Sequence, residues 1–219
     1  MSALLISSPP FDAATFLGGY IMALCIAFIL YGITIGQTYL FMINSKKDTV
    51  ILRTTVTIVA ILETIHTIFI IRQMYYLTVI GFGDSSIVQT FDWSTGGFFF
   101  AENGIVLLVD GFYIRRIWIL SGQRLLPTIG LATLLVLCFG FHMAAASYTF
   151  IIPTWPRFYQ KFGSSLSVEV ANTTSAALDG LIAASMIFLL NRSQTGYRRT
   201  DGILRWIIAY SVNTGLLTM

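Results

Sequence analysis

Hydrophobic and polar positions along this chain do not alternate at the period of a half-buried strand. They fall into long apolar blocks separated by short polar ones. A bilayer core about 30 Å thick needs roughly 20 apolar residues per crossing helix. Six blocks meet or approach that length, at about 16–43, 50–79, 95–119, 125–151, 168–190 and 203–219. The pattern predicts an all-α fold, a polytopic transmembrane helix bundle over residues 16–219 preceded by an extracytoplasmic tail at 1–15. The sixth block, "ILRWIIAYSVNTGLLTM", ends with the chain at Met219 and carries no interfacial anchor, so it reads as a helix cut short.

Composition turns that pattern into a statement about solvent. Hydrophobic residues make up 56% of the chain and charged ones 11%, and the mean hydropathy is +0.78. Soluble domains carry about 25% charged residues. A single soluble core cannot hide this much apolar surface, so lipid is the expected partner. The net charge of +3 then reports orientation, and no nucleic-acid partner is expected. The N-terminus "MSALLISSPPFDAATF" has no basic region of the signal-peptide kind. Cys25 and Cys138 lie in apolar runs and read as buried small hydrophobes, with no disulfide framework or metal knuckle.

The basic residues divide unevenly between the two ends of the blocks. Lys46, Lys47, Arg53, Arg115, Arg116, Arg124, Arg192, Arg198, Arg199 and Arg205 fall on one side, and Arg72, Arg157 and Lys161 on the other, a split of ten to three. Positive charge marks the cytoplasmic side. The N-terminus is therefore expected outside, in a multi-pass protein of the plasma membrane or an endomembrane. Trp93, Trp155, Phe158 and Tyr159 fall where an outer aromatic belt would sit. The sequon Asn172-Thr173-Thr174 lies at the mouth of the fifth block, too close to lipid for use.

Polar residues inside the blocks are the candidate chemistry. "ILETIHTIFI" sets Glu63 and His66 three residues apart on one helix face, with Gln73 following on the same stripe. The third block holds Glu102, Asn103 and Asp110, with Asn103 and Asp110 seven apart and co-facial. Asp179 sits near the centre of the fifth. Ionisable groups at such depth cost at least about 2.5 kcal/mol each, so they face the bundle interior and find partners. The expected polar cluster is Glu63, His66, Asn103, Asp110 and Asp179, with the Glu63–His66 pair meeting Asn103 or Asp110.

Chemistry that needs many ligands is disfavoured. A di-iron bundle site uses two Glu-x-x-His motifs, and His142 has no Glu three residues before it. A zinc hydrolase wants about three histidines or a His/Asp mixture, and the chain has two histidines. No Ser-His-Asp spacing or glycine-rich phosphate loop is visible. No catalytic residue, cofactor or metal is expected, and His142 reads as a packing residue. Ala176, Gly180 and Ala184 on the fifth block, and Gly140 and Ala144 on the fourth, form small-xxx-small seams that predict close helix contact.

The segment "LDGLIAASMIFLLNRSQTGYRRTDGILRWIIAYSVNTGLLT" is the most distinctive in the chain. With Asp179, Ser193, Thr195, Gly196, Arg199, Thr200, Asp201, Asn213, Thr214 and Gly215, and with "ETIHT" and "RIWILSG" upstream, it resembles an uncharacterised family of multi-spanning membrane proteins of mushroom-forming fungi, domain-of-unknown-function family 6534. The signature covers about 176–219. The resemblance implies seven helices, the seventh following Met219, and brings no activity with it.

The leading expectation is a non-enzymatic membrane protein, receptor-like or a sensor in layout. Its partners are the bilayer and an unknown small-molecule ligand or a cytoplasmic partner at the basic inner loops. The alternative is a small-molecule, proton or ion transporter or channel using Glu63, His66, Asp110 and Asp179, with an intramembrane metal-dependent enzyme a distant third.

Overall fold

The computed structural model describes residues 13–45, 49–82, 84 and 86–192. Most of the N-terminal tail, Lys46, Lys47, the sixth block and the signature residues Ser193, Thr195, Gly196, Arg199, Thr200, Asp201, Asn213, Thr214 and Gly215 lie outside the described residues.

The described residues form six α-helices: α1 (Ala13–Asn44), α2 (Val50–Tyr75), α3 (Trp93–Leu120), α4 (Leu125–Ile151), α5 (Trp155–Gln160) and α6 (Phe162–Arg192). A π-helical turn at Tyr76–Ile80 widens the end of α2, and a 3₁₀ turn covers Ile87–Gln89. All but α5 are long and apolar enough to cross a membrane. The fold is an all-α bundle.

Two elements depart from the apolar blocks for local reasons. The last long helix begins at Phe162, six residues before the hydrophobic block expected at 168. The stretch "FGSSLS" looks too polar to be helical, but its hydroxyls are satisfied by nearby carbonyls. Ser164 Oγ donates to the carbonyls of Phe158 and Lys161, and Ser167 Oγ to that of Gly163. The short helix α5 stands where the sequence pattern gave only loop. Pro156 occupies its first turn, where the missing N–H costs nothing.

Helix α3 is the centre of the bundle. It packs against α2, α4 and α6, α4 packs closely on α6, and α1 leans mainly on α2. Four of the packed pairs are linked by polar contacts. Tyr31 and Thr64 hydroxyls meet at 3.0 Å between α1 and α2. Gln73 Nε2 donates to Thr95 Oγ1 at 3.2 Å between α2 and α3. Asn103 Nδ2 approaches Met143 Sδ at 4.0 Å between α3 and α4. The Cys138 thiol donates to the Ala171 carbonyl at 3.9 Å between α4 and α6. Interhelical bonds of this kind average about 0.6 kcal/mol in membranes, so they orient the helices more than they hold them together.

Packing holds the bundle together and divides it into two halves. Toward the Ser121–Arg124 turn, Ile114, Ile117, Leu131, Leu135, Leu178, Ile182, Met186 and Leu190 form a continuous buried core between α3, α4 and α6. In lipid this contact gains from dispersion rather than from leaving water. The turn itself is made tight by Gly122 at φ 70° and Gln123 at φ 63°. The opposite end of the bundle, around α5, encloses cavities instead.

Three sequence expectations are corrected here. Cys25 is exposed, because among the described residues α1 packs mainly on α2, while Cys138 is buried. The small-residue stripe of α6 does not sit in a described interface: Ala176 and Ala184 are exposed, and a Cβ on Gly180 would meet nothing within 4 Å. A Cβ on Gly140 would also meet nothing within that distance. Close approach occurs instead at Gly96 and Gly97 of α3, over which the rings of Phe150 and Phe69 lie.

Candidate functional site

The end of the bundle opposite the Gly122 turn is closed by two loops that touch. Thr90 and Thr154 pair across an isolated antiparallel bridge. Beside it the Phe91 N–H donates to the Pro153 carbonyl at 2.9 Å. Phe91 packs on Trp155 with ring centroids 4.4 Å apart and on Phe158 at 5.5 Å. Trp155 stacks on Tyr159 at 6.0 Å. Phe158 is 3% exposed. These aromatics fold inward as a lid, which corrects the expected belt at Trp155 and Phe158. Trp93 does face outward, 57% exposed, with the Arg72 guanidinium 5.9 Å above its ring. On the rim, the Ser86 N–H and hydroxyl donate to Asp84 Oδ1 at 2.9 and 2.7 Å and hold its carboxyl below the usual range.

Beneath the lid lie two cavities that share the walls Phe99, Trp155 and Tyr159. The smaller, about 160 Å³, is bounded by Glu102 and Asn103 of α3, His142, Ala145 and Thr149 of α4 and Asn172 of α6, under Phe91, Trp155, Phe158 and Tyr159. The larger, about 710 Å³, extends between α1, α2 and α3 along Leu24, Ile70, Leu77 and Val88, with Gln73 and Thr95 as its main polar features on the helices.

Helix registers decide which polar residues reach the smaller cavity. Helices α3, α4 and α6 bring Glu102, His142 and Asn172 to similar depths below the lid. Glu102 remains accessible and feels His142 and Glu63 as its charged neighbours. His142 Nδ1 lies 3.0 Å from the Cys138 carbonyl. A carbonyl only accepts, so Nδ1 carries a hydrogen toward it. Asn103, 6% exposed, turns its amide nitrogen toward Met143 and leaves its oxygen as an acceptor. Asn172 is ten residues inside α6, which removes the sequon from any loop.

The five residues expected to gather do not meet at one point. In the antiparallel register of α2 on α3, Leu62 lies over Gly104, His66 against Phe98 at 5.0 Å, Phe69 over Gly97 and Gln73 beside Thr95. Glu63 is thereby brought near Glu102 rather than Asp110. Asn103 faces α4. Asp110, 7% exposed, has Asp179 of α6 as its charged neighbour, and its Oδ2 has no hydrogen-bond partner among the described residues. His66 Nε2 is likewise buried without one. No hydrogen bond among the described residues joins Glu63 or His66 to Asn103 or Asp110.

Two residues outside the expected cluster, Glu102 and His142, line the cavity beside Asn103, which belonged to it. Glu102 was set aside because Asn103 and Asp110 share a stripe that excludes it. His142 has no acid on its own helix, and its neighbour Glu102 comes from α3. Among the described residues, no group of three or more His, Cys, Asp or Glu side chains is placed to hold a metal ion.

Residues 175–219 match a family model described as "Family of unknown function (DUF6534)". That match covers the C-terminal part of the chain, beginning within α6 four residues before Asp179. Comparison with curated proteins and with solved structures gives no match. The site therefore has to be read from its own geometry.

Proposed function

We propose that this multi-spanning membrane protein is a non-enzymatic receptor or sensor whose ligand site is the smaller cavity under the lid. The observation that carries the reading is the convergence of Glu102, Asn103, His142 and Asn172 from three helices on one enclosed space roofed by aromatic rings. Concave sites with a few convergent polar groups and apolar walls are what small-ligand binding requires. In this reading the N-terminus lies outside the cytoplasm and the lid faces the same side. The basic loops at the other end are then available to a cytoplasmic partner. Mass spectrometry of small molecules released from the full-length protein tests it. A species that co-purifies with the wild type and is lost in Ala145→Trp, which fills the cavity, is the expected result. An identical profile from both proteins would remove the reading.

A second reading is a proton or ion transporter. It draws on a second acidic level, Asp110 with Asp179, eight residues below Glu102 on α3, or roughly 12 Å along the axis. Stacked ionisable groups at membrane depth are a feature of ion relays. Acid-driven flux in liposomes that Asp110→Asn abolishes would favour this reading over the first.

A further inference from the structure

Resting on the ligand-site reading above, we propose that the two cavities together bind a protonated amine with an apolar tail, its ammonium head beside Glu102 and its tail in the larger cavity.

The wall chemistry selects the head group. Glu102 offers a carboxylate and Asn103 its amide oxygen, so the polar wall carries acceptors for a donor head group. No Lys or Arg lines this space. A ligand must supply donors, and one that also carries positive charge makes the strongest bonds to a carboxylate. An anion would meet repulsion from the Glu102 carboxylate. The roof agrees with this choice: Trp155 and Tyr159 line the same cavity with Phe91. Aromatic faces attract ammonium groups, most strongly where water is excluded.

Size and polarity select the tail. About 160 Å³ holds a head group and little more, while the adjoining 710 Å³ is walled by Leu24, Ile70, Leu77 and Val88. Phe99, Trp155 and Tyr159 border both, so the cavities adjoin at one aromatic wall, and a ligand that spans them lies against these rings. A linear alkyl or aryl chain on the amine fits this arrangement, and a compact sugar or a dicarboxylate does not.

Saturation-transfer NMR on the full-length protein in nanodiscs tests the proposal, with empty nanodiscs as the blank. The probes are hexylamine, hexan-1-ol and hexanoate, which share a tail and differ in the head. Hexylamine should bind about tenfold more tightly than hexan-1-ol in the wild type, the ratio expected of one charge-assisted bond. Glu102→Gln should reduce that ratio to about threefold or less. The wild-type head-group comparison needs no variant, so it stands even where Glu102→Gln fails to fold. Equal binding of amine and alcohol, or tighter binding of hexanoate, would overturn the amine assignment and leave the cavity as a ligand site. Probe signals no greater than those of empty nanodiscs, with Ala145→Trp also without effect, would overturn the ligand site itself.

Discussion

Thr90 and Thr154 lie opposite one another in an antiparallel bridge, and the N–H of Phe91 beside it donates to the carbonyl of Pro153 at 2.9 Å. This contact joins the α2–α3 loop to the α4–α5 loop and holds the aromatic roof over both cavities. The bonding pattern makes Thr90 and Thr154 a non-hydrogen-bonded pair, whose Cα atoms are typically about 4.5 Å apart. That spacing suits a disulfide. Thr90→Cys with Thr154→Cys should cross-link on mild oxidation and raise the thermal midpoint by a few degrees. It should also slow exchange of any molecule bound beneath the lid. Two freely titrating thiols after oxidation would show that the loops do not meet.

Gly96 gives a test of helix approach. A Cβ there would run into Phe150 Cε2, an impossible contact unless the ring moves. Phe150 is 56% exposed, so its ring can swing away. Gly96→Ala should therefore cost about 1 kcal/mol, at the low end for overpacking. In a Phe150→Ala background that cost should vanish, since the two changes share one contact. Thermal denaturation of the four proteins measures the cycle, and an undiminished cost would mean that another neighbour restricts Gly96.

The five described spans were legible in the sequence, and the site was not, for reasons visible at particular residues. Long apolar blocks carry their own signal, because each must cover the bilayer core whatever its neighbours do. Which residues face each other depends on helix register, and register leaves no trace in a single apolar block. Glu63 and Asp110 look equally central on their own helices. Pairing His66 with Phe98 sets Glu63 near Glu102 and leaves Asp110 to α6. The lid was missed because "PTWPRFYQ" carries the composition of an interfacial belt, and its inward turn depends on contacts with Phe91, far away in sequence.

The Asp84 loop should respond to acid. Two hydrogen bonds from Ser86 favour the charged carboxylate, so its folded pKa is depressed. A depressed acid contributes its tie above the unfolded pKa, and the contribution is lost as pH falls through the folded value. NMR titration of Asp84 should give a midpoint below the ordinary carboxylate range. Ser86→Ala should bring that midpoint back toward the ordinary value. A normal midpoint in the unaltered protein would show that the loop bonds do not persist in solution.

Orientation can be read from two exposed turns at opposite ends of the bundle. Ser86 and Gln123 are both exposed. With Cys25 replaced by Ala to remove the exposed native thiol, an impermeant maleimide added to intact cells should label Ser86→Cys. It should label Gln123→Cys only after permeabilisation. The expectation follows from the ten-to-three split of basic residues. Labelling of Gln123→Cys alone in intact cells would invert the assignment and place the lid in the cytoplasm.

The last prediction concerns His66. Its ring lies 5.0 Å from that of Phe98, tilted by 33°, and its Nε2 is buried without a partner among the described residues. Ring pairs of this kind contribute about 0.5–1.5 kcal/mol. His66→Ala should therefore destabilise the protein by about 1 kcal/mol, and most of that should disappear when Phe98 is already Ala. Asp110 should not share in the coupling. It lies twelve residues beyond Phe98 on α3, roughly 18 Å down the axis, and its charged neighbour is Asp179 on another helix. His66→Ala and Asp110→Asn should then add to within about 0.5 kcal/mol, as separated sites do. Thermal unfolding of both double-mutant cycles in one lipid composition gives the answer. Coupling of His66 to Asp110, with none to Phe98, would mean that α2 sits about three helical turns away from the register found here.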